Sequence, residues 1–380
     1  MRAIILGGDG FCGWPTALHF ASNGAEVLVV DSLVRRKIAE DLSAVSLTPI
    51  ATIEKRIKAS RKIGNISYVD CDIAKQPDRL KSILENFKSD TIVHFAEQRS
   101  APYSMLSDVE RRYTVDNNVT GTNNLFSSLV VLNQRPHVVH LGTMGVYGYN
   151  DDLGQIPEGY LDVTIQETDK DVSILYPPNP GSIYHMTKCL DHTIMQFYAK
   201  NWGFPITDLH QGIVWGTDTE LTATNINLIN RFDYDGEYGT VLNRMITQSQ
   251  IGHPLTVYGT GGQSRAFIHI SDTTQCIWLA AKNLPNTTGP IRVFNQVAEV
   301  HNVLGIAQLI HKKTGAEITY LDNPRKELAE NTLKVSNAGL KSLGFKPIIL
   351  EESLLSEIGR TVDRFQNRIN ADAITSKARW

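Results

Sequence analysis

The sequence lacks the features that mark secreted, metal-binding and membrane proteins. Its 380 residues include only four cysteines, which are far apart and form no C-x-x-C pair: Cys12, Cys71, Cys189 and Cys276. This spacing argues against a disulfide framework and against a zinc site, so we expect no metal. No apolar run reaches the roughly 18 residues that a membrane span requires. We therefore expect a reducing compartment: the cytoplasm, or an organelle stroma if a transit peptide has been removed.

An excess of charge of one sign is also missing. The 37 Lys and Arg residues nearly balance the 40 Asp and Glu residues, which leaves a formal net charge of −3 without a basic block or an acidic tail. Nothing in this distribution favours a nucleic acid or an anionic membrane as partner. The 42% hydrophobic fraction is ordinary for a globular protein, and the length suits one large α/β domain or two coupled ones.

The first fifty residues carry a dinucleotide-binding pattern. A short apolar strand leads into Gly7, Gly10 and Gly13, and a helical stretch and the strand "EVLVVD" follow. Glycines at this spacing allow a tight turn and a close approach to a pyrophosphate, which would lie at the helix N-terminus. Asp31 ends the second strand, where a carboxylate accepts hydrogen bonds from the adenosine ribose and repels a 2′-phosphate. The pattern predicts NAD, although Arg35 follows closely and weakens the discrimination against NADP.

Further strands and helices alternate along the chain. The strings "ISYVDCDI", "DTIVHFAEQRS" and "HVVHLGTMGVYG" predict strands, and "NNVTGTNNLFSSLVVL" predicts a helix. This alternation is typical of a Rossmann-type doubly wound parallel sheet. We assign it to residues 1–210, with some later segments returning to it, and assign 211–380 to a smaller mixed α/β domain that binds substrate. The other residues predicted to contact the cofactor are Asp72, Ile73, Ala96, Asn118 and Lys188.

A Tyr–Lys pair supplies a candidate base. Residues 182–203 show helical periodicity, and Tyr184 and Lys188 are four residues apart, so they share one helix face. An ammonium beside a phenol lowers the phenol pKa, which would make Tyr184 a base near neutral pH. A Y-x-x-x-K match occurs by chance in many chains. It gains meaning here from the dinucleotide pattern and from the strand that ends at Thr143.

These motifs together resemble the extended short-chain dehydrogenase/reductase superfamily that acts on nucleotide sugars. A narrower resemblance, to the UDP-sulfoquinovose synthases, runs from residue 1 to about residue 365. It is carried by "GGDGFCGWPTALH", "VHFAEQRSAPYSM", "LGTMG", "NRFDYDGEYGTVLNR" and "GHPLTVYGTGGQSR". The resemblance implies that UDP-glucose and sulfite are converted to UDP-sulfoquinovose, that NAD is tightly held and recycled, and that the enzyme is a homodimer. Sulfite would arrive free or from a delivering protein.

The resemblance also implies roles for single residues. Tyr184 would take the proton of the sugar O4 while Thr143 holds that oxygen, and His185 would take the proton at C5. Arg99 would attract sulfite or the new sulfonate, with neutral hydrogen bonds from its neighbours. The other residues expected to bind substrate are Gln98, Ser100, Tyr103, Gln211, Arg244, Arg265 and Arg325; the last three suit a diphosphate.

Departures from that family leave two alternatives open. Val146 stands where the family usually has glutamate, and His210 and Trp215 stand in "HQGIVWG" where it has Asn and Tyr. We expect Val146 to be the position that sets this chain apart. Met144-Gly145 lacks the Asp-Glu pair of ordinary 4,6-dehydratases and disfavours that reaction. A UDP-sugar 4-epimerase and a non-catalytic binding module both remain, and residues 366–380 are expected to be mobile or at an interface.

Overall fold

A parallel sheet of seven strands forms the centre of the molecule. The computed structural model describes residues 1–149, 153–350 and 352–380. The strands are β1 (Arg2–Leu6), β2 (Glu26–Asp31), β3 (Ile66–Asp70), β4 (Thr91–His94), β5 (His137–Thr143), β8 (Ile206–Gln211) and β12 (Arg292–Gln296). Their order in the sheet is β3-β2-β1-β4-β5-β8-β12, and every pairing is parallel. The expected Rossmann-type sheet is confirmed.

Helices cover both faces of this sheet, which explains why its strands are apolar on both sides. In β1, Ile5 packs on one face beside Trp14, while Ile4 and Leu6 pack on the other beside Leu125. The helices of this unit are α1 (Gly13–Ser22), α2 (Val34–Asp41), α3 (Ile53–Ser60), α4 (Pro77–Phe87), α5 (Asp108–Val131), α6 (Ile183–Trp202) and α8 (Ile270–Lys282). Helix α8 packs against α1 on the first face, and α4, α5 and α6 line the second.

A smaller unit is built from the second half of the chain. Its strands are β9 (Ile213–Trp215), β10 (Leu255–Tyr258), β11 (Ser264–His269), β13 (Glu299–Asn302) and β14 (Ile318–Leu321). Its helices are α7 (Val241–Gln250), α9 (Val303–Thr314) and α11 (Glu352–Phe365), whereas α10 (Ala338–Ser342) packs on β12 and α8 of the central unit. Because β12 and α8 lie on the central sheet, the sequence boundary at residue 210 does not separate the two units in space.

Two segments lie outside these layers. Strands β6 (Tyr160–Ile165) and β7 (Lys170–Leu175) form an antiparallel hairpin with many exposed side chains. The final segment, 366–380, packs on the smaller unit: Ile374 is fully buried, and the Lys377 amide donates to a Glu237 carboxylate oxygen at 2.8 Å. The chain ends at Trp380, whose indole donates to the Gly181 carbonyl at 2.7 Å. Among the described helices, none has the length and apolar character to cross a bilayer.

Candidate active site

The glycine turn after β1 forms the floor of a cavity at the carboxyl ends of the strands. Gly7 has a φ of +78°, and a Cβ there would lie 2.6 Å from the Phe95 carbonyl carbon. A Cβ on Gly13 would lie 2.2 Å from the Gly7 oxygen. Gly10 lines the cavity, and a Cβ there would meet only the Gly7 oxygen, at 3.2 Å. The turn therefore exposes backbone to a ligand at the N-terminus of α1.

Two side chains give this cavity its polarity. Asp31 accepts hydrogen bonds from the amides of Asp9 at 2.9 Å and Leu33 at 2.7 Å. Burial, with a contribution from Asp9, raises the pKa of Asp31 to about 6. Arg35 lies 3.6 Å over the Tyr238 ring, and its buried Nε and Nη1 atoms have no hydrogen-bond partner among the described residues. A carboxylate at the ribose position and unpaired guanidinium donors fit a dinucleotide with its anionic pyrophosphate.

The remaining predicted cofactor residues divide into two groups. Asp72, Ile73, Ala96 and Lys188 line the same cavity. Asn118 does not: it is fully buried and joins the Gln98 backbone to the Thr187 hydroxyl. Its neighbour Asn117 lines the cavity instead, because consecutive helical residues point about 100° apart. Asn118 therefore does not line the cofactor site as expected. Its hydrogen bonds hold the loop after β4 against α6.

Tyr184 lies where this cavity meets a second one. It belongs to the walls of both, as do Arg99, Gly142 and Gln211. Helix α6 begins here, because the Ser182 hydroxyl accepts from the His185 amide at 3.2 Å and so caps the helix. The Tyr184 amide donates to the Ser104 hydroxyl at 3.2 Å. The first turn of α6 is thereby fixed against the loop after β4.

The electrostatics of Tyr184 differ from the expectation. Burial raises its pKa to about 12, and the opposing effect of Lys188 is reduced by the Glu97 carboxylate. The Lys188 ammonium is 6.0 Å from the centre of the Tyr184 ring, pairs with Glu97, and donates to the Leu141 carbonyl at 2.7 Å. The predicted net lowering of the Tyr184 pKa is thus wrong for the protein alone, although the direction of the Lys188 effect is right.

His185 fills a space left by a missing side chain. A Cβ on Gly145 would lie 2.2 Å from the His185 ring carbon Cδ2 and 2.3 Å from Nε2. The imidazole is buried, and its Nδ1 has no hydrogen-bond partner in the part of the chain that the structure describes. Burial, with smaller contributions from Arg325 and Arg265, lowers the pKa of His185 to about 3. The ring is neutral at physiological pH and lines the second cavity, as Thr143 does.

Three arginines form the cationic wall of the second cavity. Arg265 lies 4.5 Å over the Tyr149 ring and pairs with Glu327. Arg325 lies 5.0 Å over Trp380, and Arg244 lies 5.2 Å over Tyr258. The buried Nε of Arg244 has no partner among the described residues. The predicted residues on this wall are Arg99, Ser100, Thr143, Tyr184, His185, Gln211, Arg244, Arg265 and Arg325.

The loop after β4 is less available to a substrate than its sequence suggests. The Gln98 side-chain amide donates to the Ser100 carbonyl at 2.9 Å and to the Thr114 hydroxyl at 3.0 Å. Arg99 is held 2.6 Å from an Asp233 oxygen. Tyr103 is buried against Tyr238, with ring centres 5.3 Å apart, and lines neither cavity. Among these residues only Arg99 and Ser100 reach the second cavity.

The two departures from the resembled family also lie away from the substrate. Val146 is buried in an apolar cluster with Tyr147, Ile156 and Tyr176, and it is on the wall of neither cavity. His210 lies behind the wall, with its Nδ1 2.6 Å from the Tyr147 hydroxyl. Val146 was expected to set this chain apart, and the structure shows that its side chain borders neither cavity. Its neighbour Gly145 affects the site instead, because the absence of a side chain there leaves room for the His185 ring.

Sequence reasoning missed several residues of the site. Glu97 pairs with Lys188, Tyr238 and Asp233 hold two arginines, and Trp380 lies on Arg325. A charged residue directly after a buried strand, as in "HFAEQ", was the available signal for Glu97. No local signal marked Trp380, because its partners are 55 and 199 residues away in the chain.

Comparison with known proteins places this geometry among nucleotide-sugar enzymes. The sequence profile of the "NAD dependent epimerase/dehydratase family" matches residues 3–295. The chain is 41% identical to the chloroplastic UDP-sulfoquinovose synthase of Spinacia oleracea, over all of this chain and 79% of that protein. It is 39% identical to the UDP-sulfoquinovose synthase of Sulfolobus acidocaldarius, over 91% of this chain and 88% of that one.

Solved structures share the fold. A UDP-glucose 4-epimerase of Thermotoga maritima, solved with UDP-glucose, superposes with a TM-score of 0.71 over 97% of this chain and all of that one, at 20% identity. A UDP-glucuronic acid 4-epimerase of Bacillus cereus, solved with UDP-glucuronic acid and NAD, gives 0.70 over 96% and 99%, at 19% identity. At such identities the likeness establishes the arrangement of the backbone.

Proposed function

This chain belongs to the NAD-dependent epimerase/dehydratase family, and we propose that it converts UDP-glucose and sulfite to UDP-sulfoquinovose. The observation that carries the proposal is the position of His185. Gly145 clears the space that its imidazole fills, and the centre of that ring is 5.2 Å from the centre of the Tyr184 ring. The two relatives that share about two fifths of the sequence carry the name of this activity.

The first chemical step belongs to Tyr184 and Thr143. NAD, when bound, supplies the redox chemistry by taking a hydride from C4 at the start and returning it at the end. Tyr184 receives the O4 proton, and the Thr143 hydroxyl holds that oxygen in line. Burial raises the pKa of the Tyr184 phenol, so ionisation of this phenol depends on the nearby Lys188 ammonium, which lowers that pKa.

The second step belongs to His185. A ketone at C4 makes the C5 proton acidic, so a weak base suffices to remove it. That proton leaves with the C6 hydroxyl as water, which gives a C5–C6 double bond conjugated to the ketone. Sulfite, arriving as hydrogensulfite, adds through sulfur at C6; the electron pair of the double bond moves to C5, which takes up the proton that hydrogensulfite releases. Reduction at C4 and return of the O4 proton from Tyr184 complete the conversion.

The arginine wall links substrate binding to the basicity of His185. We assign the UDP diphosphate to Arg244, Arg265 and Arg325, because guanidinium groups bind phosphate oxygens in a bidentate manner. Arg325 and Arg265 both lower the pKa of His185, in addition to burial. A bound diphosphate compensates their charge, so His185 becomes a stronger base once substrate is in place. Arg99 is left as the cation nearest the entry of sulfite.

Oligomeric state, sulfite source and compartment are parts of the same proposal. We infer a homodimer that takes sulfite free or from a delivering protein. The four thiols are unpaired, and burial raises the pKa of each, which suits a reducing compartment: the cytoplasm or an organelle stroma. The plant relative is named as chloroplastic.

Incubation of the purified protein with UDP-glucose, with and without sulfite, tests the proposal by mass analysis of the nucleotide products. We expect a sulfonated UDP-sugar that forms only when sulfite is present. UDP-galactose formed independently of sulfite would instead establish a 4-epimerase, for which Thr143, Tyr184 and Lys188 suffice. Tyr184→Phe is the control: it should retain NAD and UDP-glucose in a calorimetric titration and lose turnover, whereas a binding module would be unaffected.

A further inference from the structure

We propose that His140 and Asp208 are positioning residues for Tyr184, because with Glu97 they form a buried chain of alternating charge that holds the Lys188 ammonium and sets the pH range of C4 oxidation. The inference rests on the proposed function in taking Tyr184 as the base. We call the cavity at the glycine turn the cofactor cavity and the second cavity, with the three arginines, the substrate cavity. Neither His140 nor Asp208 lines either of them. His140 therefore has to act through Lys188, both by way of Glu97 and directly, since its Nε2 is 3.3 Å from the Lys188 Nζ; Asp208 acts through His140.

Continuous contacts run from the active site into the core. One Glu97 oxygen pairs with the Lys188 ammonium, and the other is 2.9 Å from Nε2 of His140. The second ring nitrogen of His140 is 2.8 Å from Oδ1 of Asp208. The four side chains are at most 4% exposed. Each charge in the chain is therefore screened from water and strongly affected by its neighbours.

The register of the sheet creates this chain. His140 on β5 pairs directly with Asp208 on β8, and Gly142 pairs with His210. A Cβ on Gly142 would lie 2.6 Å from the Asp208 carboxylate and 2.8 Å from the His210 ring. The glycine before Thr143 is thus needed to leave room for Asp208. The sequence "LGTMG" therefore contains two glycines with separate roles. Gly142 leaves room for Asp208, and Gly145 leaves room for His185.

Asp208 is anchored at its far end by two more imidazoles. Its Oδ2 atom is 3.0 Å from Nδ1 of His192 and 3.0 Å from Nε2 of His210. With His140, three rings surround one carboxylate, and His210 continues to the Tyr147 hydroxyl. This arrangement fixes the orientation of Asp208 and, through it, the orientation of the His140 ring.

The charges alternate at neutral pH. Burial raises the pKa of Asp208, but the three histidines hold it well below its usual range. Burial and Lys188 lower the pKa of His140, yet its contacts with Asp208 and Glu97 raise it to about 9. Lys188 and His140 together hold the pKa of Glu97 below its usual range despite burial. The chain therefore reads ammonium, carboxylate, imidazolium, carboxylate.

Other titratable groups face His140 from every packed element. They are His94 and Glu97 at the end of β4, Lys188, Asp191 and His192 from α6, and Asp208 and His210 from β8. His94 is neutral, because burial lowers its pKa to about 3. Asp191 lies 4.0 Å from His140, and burial with Glu97 raises its pKa to about 7. Loss of the His140 cation would leave Glu97 and Asp208 with Lys188 as the sole strong cation among these groups.

Two substitutions should move the pH profile in opposite directions. His140→Gln removes a cation, so the Tyr184 phenolate is disfavoured and the rising limb shifts to higher pH by about one unit. Glu97→Gln removes an anion and shifts the limb to lower pH. The readout is the absorbance of bound NADH after addition of UDP-glucose without sulfite, as a function of pH.

His137→Gln is the matched control. His137 lies on the same strand, is equally buried, and contacts the Thr207 hydroxyl at 2.9 Å outside the chain. Burial lowers its pKa to about 4, so it is neutral. We expect this variant to lose stability without a shift in the profile. If His140→Gln gives the same profile as His137→Gln, the chain has only a structural role and the proposal is overturned.

Nitrogen NMR of the histidine rings in the wild-type holoprotein measures the protonation state of His140 directly and requires no turnover. We expect His140 to be an imidazolium at neutral pH and to lose its proton near pH 9. A neutral His140 ring would overturn the proposal even if His140→Gln failed to fold. Because this measurement needs no reaction, a failure of the chain is distinguishable from a failure of the proposed activity.

Discussion

The cofactor cavity and the substrate cavity are built in different ways. The cofactor cavity takes most of its wall from short β–α connections within the first 120 residues, and its ligand would lie against backbone at the glycine turn. The substrate cavity draws on segments from Phe11 to Glu327, and most of its charge comes from arginines. The turn of the cofactor cavity can be recognised in the sequence from its glycine spacing. The wall of the substrate cavity cannot, because its residues are far apart in the chain.

The two cavities also position their polar groups differently. Asp31 is held by amides from the adjacent turn and from the residue two positions on. Arg244, Arg265 and Arg325 each lie over an aromatic ring. Cation–π contacts of this kind orient a guanidinium while leaving donors for a phosphate. If the cavities are used as proposed, recognition of the cofactor depends mainly on the backbone, and recognition of the substrate depends on arginine–aromatic pairs.

The largest effect is expected from Gly145→Ala, because Gly145 makes room for the ring of His185, which lines the substrate cavity. The added Cβ would displace the His185 ring, which approaches to 2.2 Å, while Tyr184 and Lys188 keep their places. Loss of an aligned base costs roughly 100-fold or more in rate. We expect NADH to form on addition of UDP-glucose and the sulfonated product to be lost.

Gly181→Ala is the matched control for that experiment. A Cβ there would be 3.9 Å from Nδ1 of His185, an ordinary contact. It should leave both signals close to those of wild type. Retention of the sulfonated product in Gly145→Ala at the wild-type rate would show that His185 is not the base at C5.

The fold, and the grouping of several predicted residues around one cavity, could be predicted from the sequence because their signals are local. The glycine turn, the strand ending at Asp31 and the α6 pair Tyr184–Lys188 each lie within about 25 residues of chain. The structure places them around one cavity. The parallel character of the sheet followed from alternating strands and helices, since parallel neighbours require crossover connections; the number of strands and their order came from the structure.

Other features could not be predicted, because they depend on which face of an element is buried. Val146 and Gly145 are adjacent in the chain, yet one packs into an apolar cluster and the other meets His185. Asn117 and Asn118 differ in the same way on α5. The sign of the Tyr184 shift required the depth of burial and the position of Glu97, neither of which spacing reveals.

A smaller effect is expected from Trp380→Ala, which tests the wall assembled from distant residues. The indole donates to the Gly181 carbonyl at 2.7 Å and lies 5.0 Å from the Arg325 guanidinium. Loss of both contacts should cost about 1.4 kcal/mol of substrate binding, or roughly tenfold in KM for UDP-glucose. Affinity for NAD should not change, because Trp380 is remote from the cofactor cavity.

Trp380→Phe separates the two contacts. It retains a ring for Arg325 and loses the indole donor, so its KM should lie between those of wild type and Trp380→Ala. A wild-type KM in Trp380→Ala would mean that the final segment does not position Arg325. An equal loss of NAD affinity would mean that the two cavities are not independent in the way the comparison requires.

The smallest effect is expected at Asp31, in the cavity built from local backbone. Its pKa is raised to about 6, chiefly by burial, and only the carboxylate form is a full acceptor for the ribose hydroxyls. NAD affinity should therefore be complete above that pKa and decrease as the pH falls through it. The expected loss is about twofold at about pH 6 and roughly tenfold at about pH 5. Calorimetric titration with NAD across this pH range measures the loss of affinity.

Asp31→Asn is the control for this titration. The variant should bind NAD more weakly and show no dependence of affinity on pH, since its amide does not titrate. If its affinity depends on pH as that of wild type does, another group titrates and the Asp31 carboxylate does not control the affinity.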